Sequence, residues 1–305
     1  MKSLKAVKIR RKTRKRIYQF IIIAFIILNI LSYAGAYYLT HFNSQNRKVI
    51  STKPSEIGLK SETKRISINN NEWLDTWFIP AENKSKGTVL LFPGNNGSKA
   101  KQLLAPTQVF HNLDYDTLLI DFRGLGASSG NSATIGVRES EDVALTMNYA
   151  EKSKLKRPYI LYGVSMGSAA ILKAIADKDK NLNPEAAILE APFARLVNAV
   201  RSRLKAVNIP TFPVTQLMVF WGGIQHGFNG FAHNPVTYAF AVECPTLILQ
   251  GKLDKWTTLE EINEIYQNLQ GSKQLVIFPN AGHNLLVRVD KQLWKQSIAK
   301  FMRGI

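Results

Sequence analysis

The sequence predicts an α/β protein. Its centre is a mostly parallel sheet with helices on both faces and a small helical cap, preceded by one transmembrane helix. Three observations carry that expectation. Short continuous apolar runs alternate with helical segments, the pattern of strands buried on both faces. One run, Tyr159 to Tyr162, passes through Gly163-Val164-Ser165-Met166-Gly167 directly into the small-residue helix Ala169 to Ala176. The first 39 residues are a dense basic block followed by an uncharged apolar stretch.

Of the 305 residues, 45% are hydrophobic, enough to build one large core. Lys and Arg total 40 against 22 acids, for a net charge of +18. Nine of those basic residues fall in residues 1–16, which contain no acid. Residues 17–39 carry no charge at all. About twenty such residues cross a bilayer as a helix. Tyr18, Tyr33, Tyr37 and Tyr38 sit near its ends, where amphipathic rings favour the interface. The basic block flanks one end only, so the positive-inside rule makes residues 1–16 a cytoplasmic tail. Residues 40–305 then lie on the outer side, periplasmic or extracytoplasmic. A second reading is a cleaved signal peptide, with Ala34-Gly35-Ala36 as the cleavage site. Both readings export the domain. The single cysteine, Cys244, precludes an internal disulfide. The basic excess beside a membrane matches anionic headgroups better than nucleic acid.

After the anchor, residues 40–62 read as a polar linker, and residues 63–305 as one domain. Lys64 to Ile68 and Trp73 to Ile79 are two strands joined by an asparagine-rich turn. Gly87 to Phe92 is a buried strand running into the turn-rich Pro93 to Ser98. Lys99 to Leu113 is a helix, Thr117 to Asp121 a strand, and Ile135 to Ser153 a helix. Ala186 to Glu190 is another strand. The segment 193–238 has no strand signal and reads as the cap. Pro245 to Gln250 and Gln274 to Phe278 are strands, each followed by a helix, Leu259 to Leu269 and Val289 to Met302.

The G-x-S-x-G spacing has a physical cause. A serine at the tip of a tight strand-to-helix turn adopts a strained backbone, and the residues two before and two after it pack together. The turn exposes the hydroxyl and aims the first helix amides at the same point. A serine hydroxyl is inert until a base takes its proton, and an acid must orient that base. Asp254 and His283 both lie in loops after late strands, at the end of the sheet where ligand crevices open. The remaining histidines, His226 and His233 among them, read as structural. No Cys/His spacing suggests a metal site, and no glycine-rich loop suggests a nucleotide.

The order Ser165, Asp254, His283, with the G-x-S-x-G elbow and Asp121-Phe-Arg-Gly-Leu-Gly126-x-Ser128, resembles the alpha/beta-hydrolase superfamily from about residue 63 onward. The plan of anchor, hydrolase domain and short cap is similar to the membrane-anchored branch that contains lipid lipases and protein deacylases. The resemblance implies an eight-stranded sheet and a serine hydrolase acting on an acyl ester or thioester without a cofactor. Ser165 would be the nucleophile, His283 the general base, and Asp254 its orienting acid. The amides of Met166 and Asn95 would form the oxyanion hole, although the loop begins Pro93-Gly94 where the family often has His-Gly. Arg123 would tie loops together. Phe193 and Trp221 in the cap would line an acyl pocket. A serine peptidase on the same fold, and a non-catalytic anchored module that binds a lipid or a partner protein, are the other readings.

Overall fold

Strands of five to seven residues, most of them apolar, pair into one eight-stranded sheet in the computed structural model, which describes residues 2–42 and 52–305, with side chains from residue 13 onward. Part of the expected linker, residues 43–51, and the side chains of the basic tail up to residue 12 lie outside the described residues. The strands are β1 (Glu62–Ser67), β2 (Trp73–Ile79), β3 (Thr88–Phe92), β4 (Asp116–Ile120), β5 (Tyr159–Val164), β6 (Ala186–Glu190), β7 (Thr246–Gly251) and β8 (Lys273–Phe278). The helices are α1 (Lys2–Thr40), α2 (Leu104–His111), α3 (Glu139–Lys152), α4 (Met166–Ala176), α5 (Leu196–Ala206), α6 (Val214–His226), α7 (Pro235–Tyr238), α8 (Leu259–Asn268), α9 (Leu286–Val289) and α10 (Lys291–Met302).

The spatial order is β1-β2-β4-β3-β5-β6-β7-β8. From β4 to β8 every pairing is parallel, while β2 joins β4 and β1 joins β2 antiparallel. Strand alternation sends side chains to two separate cores. Leu90, Leu118, Leu161 and Ile248 meet α3, α4 and α8 on one face. Val89, Leu91, Ile160 and Leu249 meet α2 and α10 on the other, around Phe110 and the buried Trp294. The edge strand β1 is exposed at Glu62, Thr63, Lys64 and Arg65, which blunts it against pairing with other chains.

Several helix boundaries differ from the sequence expectation. Helix α3 starts at Glu139 rather than Ile135, because Ile135 has φ 56° and so leaves the helical region. The Glu139 carboxylate there accepts from the amides of Thr134 and Gly136 and from the Thr134 hydroxyl, each at 2.8 Å. The segment from Lys99 opens with a π turn, Lys99–Leu103, and α2 ends at His111. The last helix is broken at Asp290, which has an extended φ of −140° and caps the amide of Leu293 at 2.9 Å.

Thr13–Thr40 of α1 is long and apolar enough to cross a membrane. Its C-terminal half does not stand free. Asn29 Oδ1 accepts from Trp221 Nε1 at 3.2 Å, and the Tyr33 carbonyl accepts from Gln225 at 2.9 Å. Gly35 and Ala36 face Met218 and Gly222, small residues that let two helices approach closely. Backbone bonds then tie Thr40 to Ala133 at 2.9 Å and Phe42 to Asn131 at 2.6 Å.

Candidate active site

Ser165 sits where β5 ends and α4 begins, with φ 51° and ψ −104°. This strained conformation persists because the surrounding packing fixes it. A Cβ on Gly163 would lie 2.6 Å from the Gly167 carbonyl carbon, so the turn closes only with glycine at that position. The Ser165 amide donates to the Glu190 carbonyl at 2.7 Å, which locks the elbow to β6.

The two late loops meet this serine. A Cβ on Gly251 would lie 2.5 Å from the carbonyl oxygens of Ala281 and Gly282. That contact brings the β7 and β8 loops together and carries Asp254 to His283. His283 Nε2 is 3.1 Å from Ser165 Oγ, and His283 Nδ1 is 2.7 Å from Asp254 Oδ2. The carboxylate on Nδ1 places the ring proton there and leaves Nε2 free to accept from the serine hydroxyl. Burial pushes the Asp254 carboxyl up, but the hydrogen bond and charge of His283 and the amide and hydroxyl of Thr257 outweigh it. The carboxyl is therefore held below its ordinary value. Its Oδ1 accepts from the amides of Trp256 at 2.8 Å and Thr257 at 3.0 Å, and Oδ2 from the Thr257 hydroxyl at 2.7 Å.

The loop after β3 closes the other side. The position of a Cβ on Gly94 is 3.5 Å from the Ser165 Cβ, so the loop that carries Asn95 runs beside this serine. The Gln102 side chain accepts from the Gly94 amide at 2.7 Å and shapes that loop. Among the described residues, no protein acceptor takes the amides of Asn95 or Met166.

The structure does not bring Phe193 and Trp221 into this site. Phe193 is fully buried against Ala169, Leu196 and Ala199, in a small cluster under the cap. Trp221 packs edge-on against Tyr33 at 5.6 Å and bonds to Asn29, so it serves the contact with α1. Cap aromaticity alone does not say which way a ring faces. Arg123 does tie elements together: its Nε meets Asp142 at 2.7 Å and its Nη2 meets Glu141 at 2.7 Å. His233 is buried, and its Nε2 is 3.0 Å from the Ile135 carbonyl. Burial drives its pKa down to about 4.

Three neighbours escaped the sequence reading. Glu190 is fully buried beneath the elbow, accepting from the Leu286 amide at 2.8 Å, the Tyr162 hydroxyl at 2.8 Å and Trp294 Nε1 at 3.0 Å. Burial raises its pKa despite those donors. An acid closing an otherwise apolar strand was the available signal. Trp256 lies 5.0 Å from the His283 ring, and the Arg203 guanidinium lies 5.0 Å from Trp256. Burial lowers the Arg203 pKa, while Asp254 pulls it the other way. Only the fold places α5 beside the histidine loop.

Residues 83–222 match the family described as serine aminopeptidase, S33, and residues 231–305 match PhoPQ-activated pathogenicity-related protein. The uncharacterized protein YqkD of Bacillus subtilis (strain 168) is 22% identical over 196 residues, 64% of each chain. The lysophosphatidylserine lipase ABHD12 of Gallus gallus is 25% identical over 190 residues, 58% of this chain and 46% of the lipase. The chain thus spans less than two thirds of the length of either relative. A solved esterase of Pyrococcus furiosus superposes with a TM-score of 0.71 at 20% identity, over 87% of this chain and 98% of the esterase. The parallel sheet with its serine elbow and these neighbours together show the fold: the chain has the alpha/beta-hydrolase fold, and its sequence is similar to the serine aminopeptidase, S33, family over residues 83–222.

Proposed function

We propose that the protein is a membrane-anchored serine hydrolase that cleaves an acyl ester or thioester. The observation that carries this reading is the unbroken relay from Ser165 Oγ to His283 Nε2 at 3.1 Å and from His283 Nδ1 to Asp254 at 2.7 Å. Ser165 Oγ attacks the substrate carbonyl carbon while His283 Nε2 takes its proton. The carbonyl oxygen becomes an oxyanion held by the amides of Met166 and Asn95, each worth about 3 kcal/mol of barrier. The intermediate collapses, the bond to the leaving oxygen or sulfur breaks, and His283 returns its proton to that atom. Water then attacks the acyl-enzyme, with His283 again taking the proton, and the free acid leaves with Ser165 restored. Asp254 keeps the imidazole in the required tautomer and balances its charge. Helix α1 holds the domain at the membrane, with the basic tail on the cytoplasmic side.

The Pyrococcus protein is an esterase and the Gallus protein a lipase, which favours an ester. The aminopeptidase description of the matched family favours the peptidase reading, and amide cleavage uses the same parts. A panel of acyl esters, acyl thioesters and amino-acid amides separates them. The expected result is turnover of esters or thioesters by the detergent-solubilised chain, with amino-acid amides untouched. Faster turnover of the amides would replace this reading with the peptidase.

A further inference from the structure

Helix α1 is about 1.5 Å long per residue, so its apolar stretch 17–39 spans about 35 Å, close to the thickness of a bilayer core. Asn29 lies about 15 Å below the outer end of that stretch. Trp221 on α6 bonds to Asn29, and Gln225 bonds to Tyr33 one turn higher. The domain therefore reaches down the side of its own anchor, and α6 cannot lie wholly above the lipid.

The composition of α6 suits that depth. Val214 to Gln225 contains no charged residue, and its outward face carries Phe220, 47% exposed, and Ile224, 60% exposed. The loop that leads into it exposes Val207 at 64%, Ile209 at 43% and Phe212 at 78%. An exposed apolar patch of this kind on an uncharged helix marks a contact surface. The whole stretch 191–242 has no acid, while Arg201 and the exposed Lys205 stand just before the loop. Basic residues beside an apolar wedge fit a surface of anionic headgroups.

We propose that α6 and the loop 207–213 are immersed in the outer leaflet, so that the cap itself is a bilayer-contacting element. The occupant of this apolar face is a phospholipid bilayer, because α6 packs along α1, whose own large apolar residues are mostly exposed from Ile17 to Leu39. This inference rests on the reading of α1 as a membrane span.

The test uses the full chain with Cys244→Ser, carrying one environment-sensitive fluorophore on a cysteine at Phe20, Lys84, Phe212 or Ile224. Each variant is reconstituted in vesicles of phosphatidylcholine and phosphatidylglycerol with brominated acyl chains. Lys84 precedes β3, at the end of the sheet away from the strand-end loops. Labels at Phe212 and Ile224 are expected to lose about half their emission, as does one at Phe20, while the label at Lys84 is unaffected. Quenching at Phe20 with none at Phe212 and Ile224 would overturn the immersed cap and leave the span standing. Quenching at Phe212 and Ile224 without Phe20 would keep the bilayer contact and remove the span. Self-quenching between labels at Phe212, without lipid quenching, would assign the face to a second copy and overturn the proposal.

Discussion

Replacing Ser165 with alanine is expected to lower ester turnover by about 100,000-fold, because the residues of a triad act as a unit and the loss of one nearly removes the rest. The distances argue for that scale. Ser165 Oγ lies 3.1 Å from His283 Nε2, and no second hydroxyl stands in that relation to the imidazole among the described residues. Asp254→Asn is expected to cost about 10,000-fold through kcat, since an amide in place of the carboxylate stabilises the wrong imidazole tautomer. Asp254 also accepts from the Trp256 and Thr257 amides at 2.8 and 3.0 Å. Asn can keep one oxygen there, so the fold should survive. Michaelis–Menten kinetics on one acyl ester, alongside a melting curve for each variant, checks both. A loss below about 100-fold in Ser165→Ala would assign the chemistry elsewhere.

Lys99→Met is expected to destabilise the domain by about 3–5 kcal/mol, the usual result of removing one partner from a buried ion group. Lys99 Nζ lies 2.5 Å from Asp75 and 2.6 Å from Asp121, with Lys99 3% exposed. Without it, two carboxylates face one another in a buried space. The Asp121 carboxylate also receives the amides of Lys99 at 2.7 Å and Ala127 at 2.9 Å. It therefore organises both the loop after β3 and the loop after β4. The melting temperature of the detergent-solubilised chain should fall by about 10 °C. Adding Asp75→Leu and Asp121→Asn to Lys99→Met should restore part of that loss, because a fully apolar or neutral replacement leaves no charge unpaired. No change in Lys99→Met would mean that the three groups contribute nothing to stability.

The first of these sites was legible in the sequence and the second was not. The strand-to-helix turn at Ser165 was legible because it demands glycine on both sides and an apolar run before it, and such constraints are local. The loops holding Asp254 and His283 were legible as strand ends. Their meeting depends on the close approach at Gly251, which is a property of the sheet. The strands read well because five consecutive buried residues leave few alternatives. The start of α3 did not, since the left-handed Ile135 follows from Glu139 gathering three donors.

Long-range partners were the least visible. Lys99 opens the helix expected over 99–113, and nothing near it in the chain announces Asp75. Trp221 reads as a pocket ring, yet its indole N–H is spent on Asn29, nearly two hundred residues earlier. The polar Asn29 in an apolar span was itself a hint that something polar meets the helix there. Glu190 shows the same limit, because its three donors come from β5, α9 and the last helix.

The most direct measurement is covalent labelling of the full detergent-solubilised chain with a fluorophosphonate probe, followed by mass mapping of the adduct. The account predicts a single adduct on Ser165, absent in Ser165→Ala and formed far more slowly in His283→Ala. An adduct on another residue, or a folded wild-type chain that stays unlabelled, would contradict the serine hydrolase and bring the anchored binding module forward.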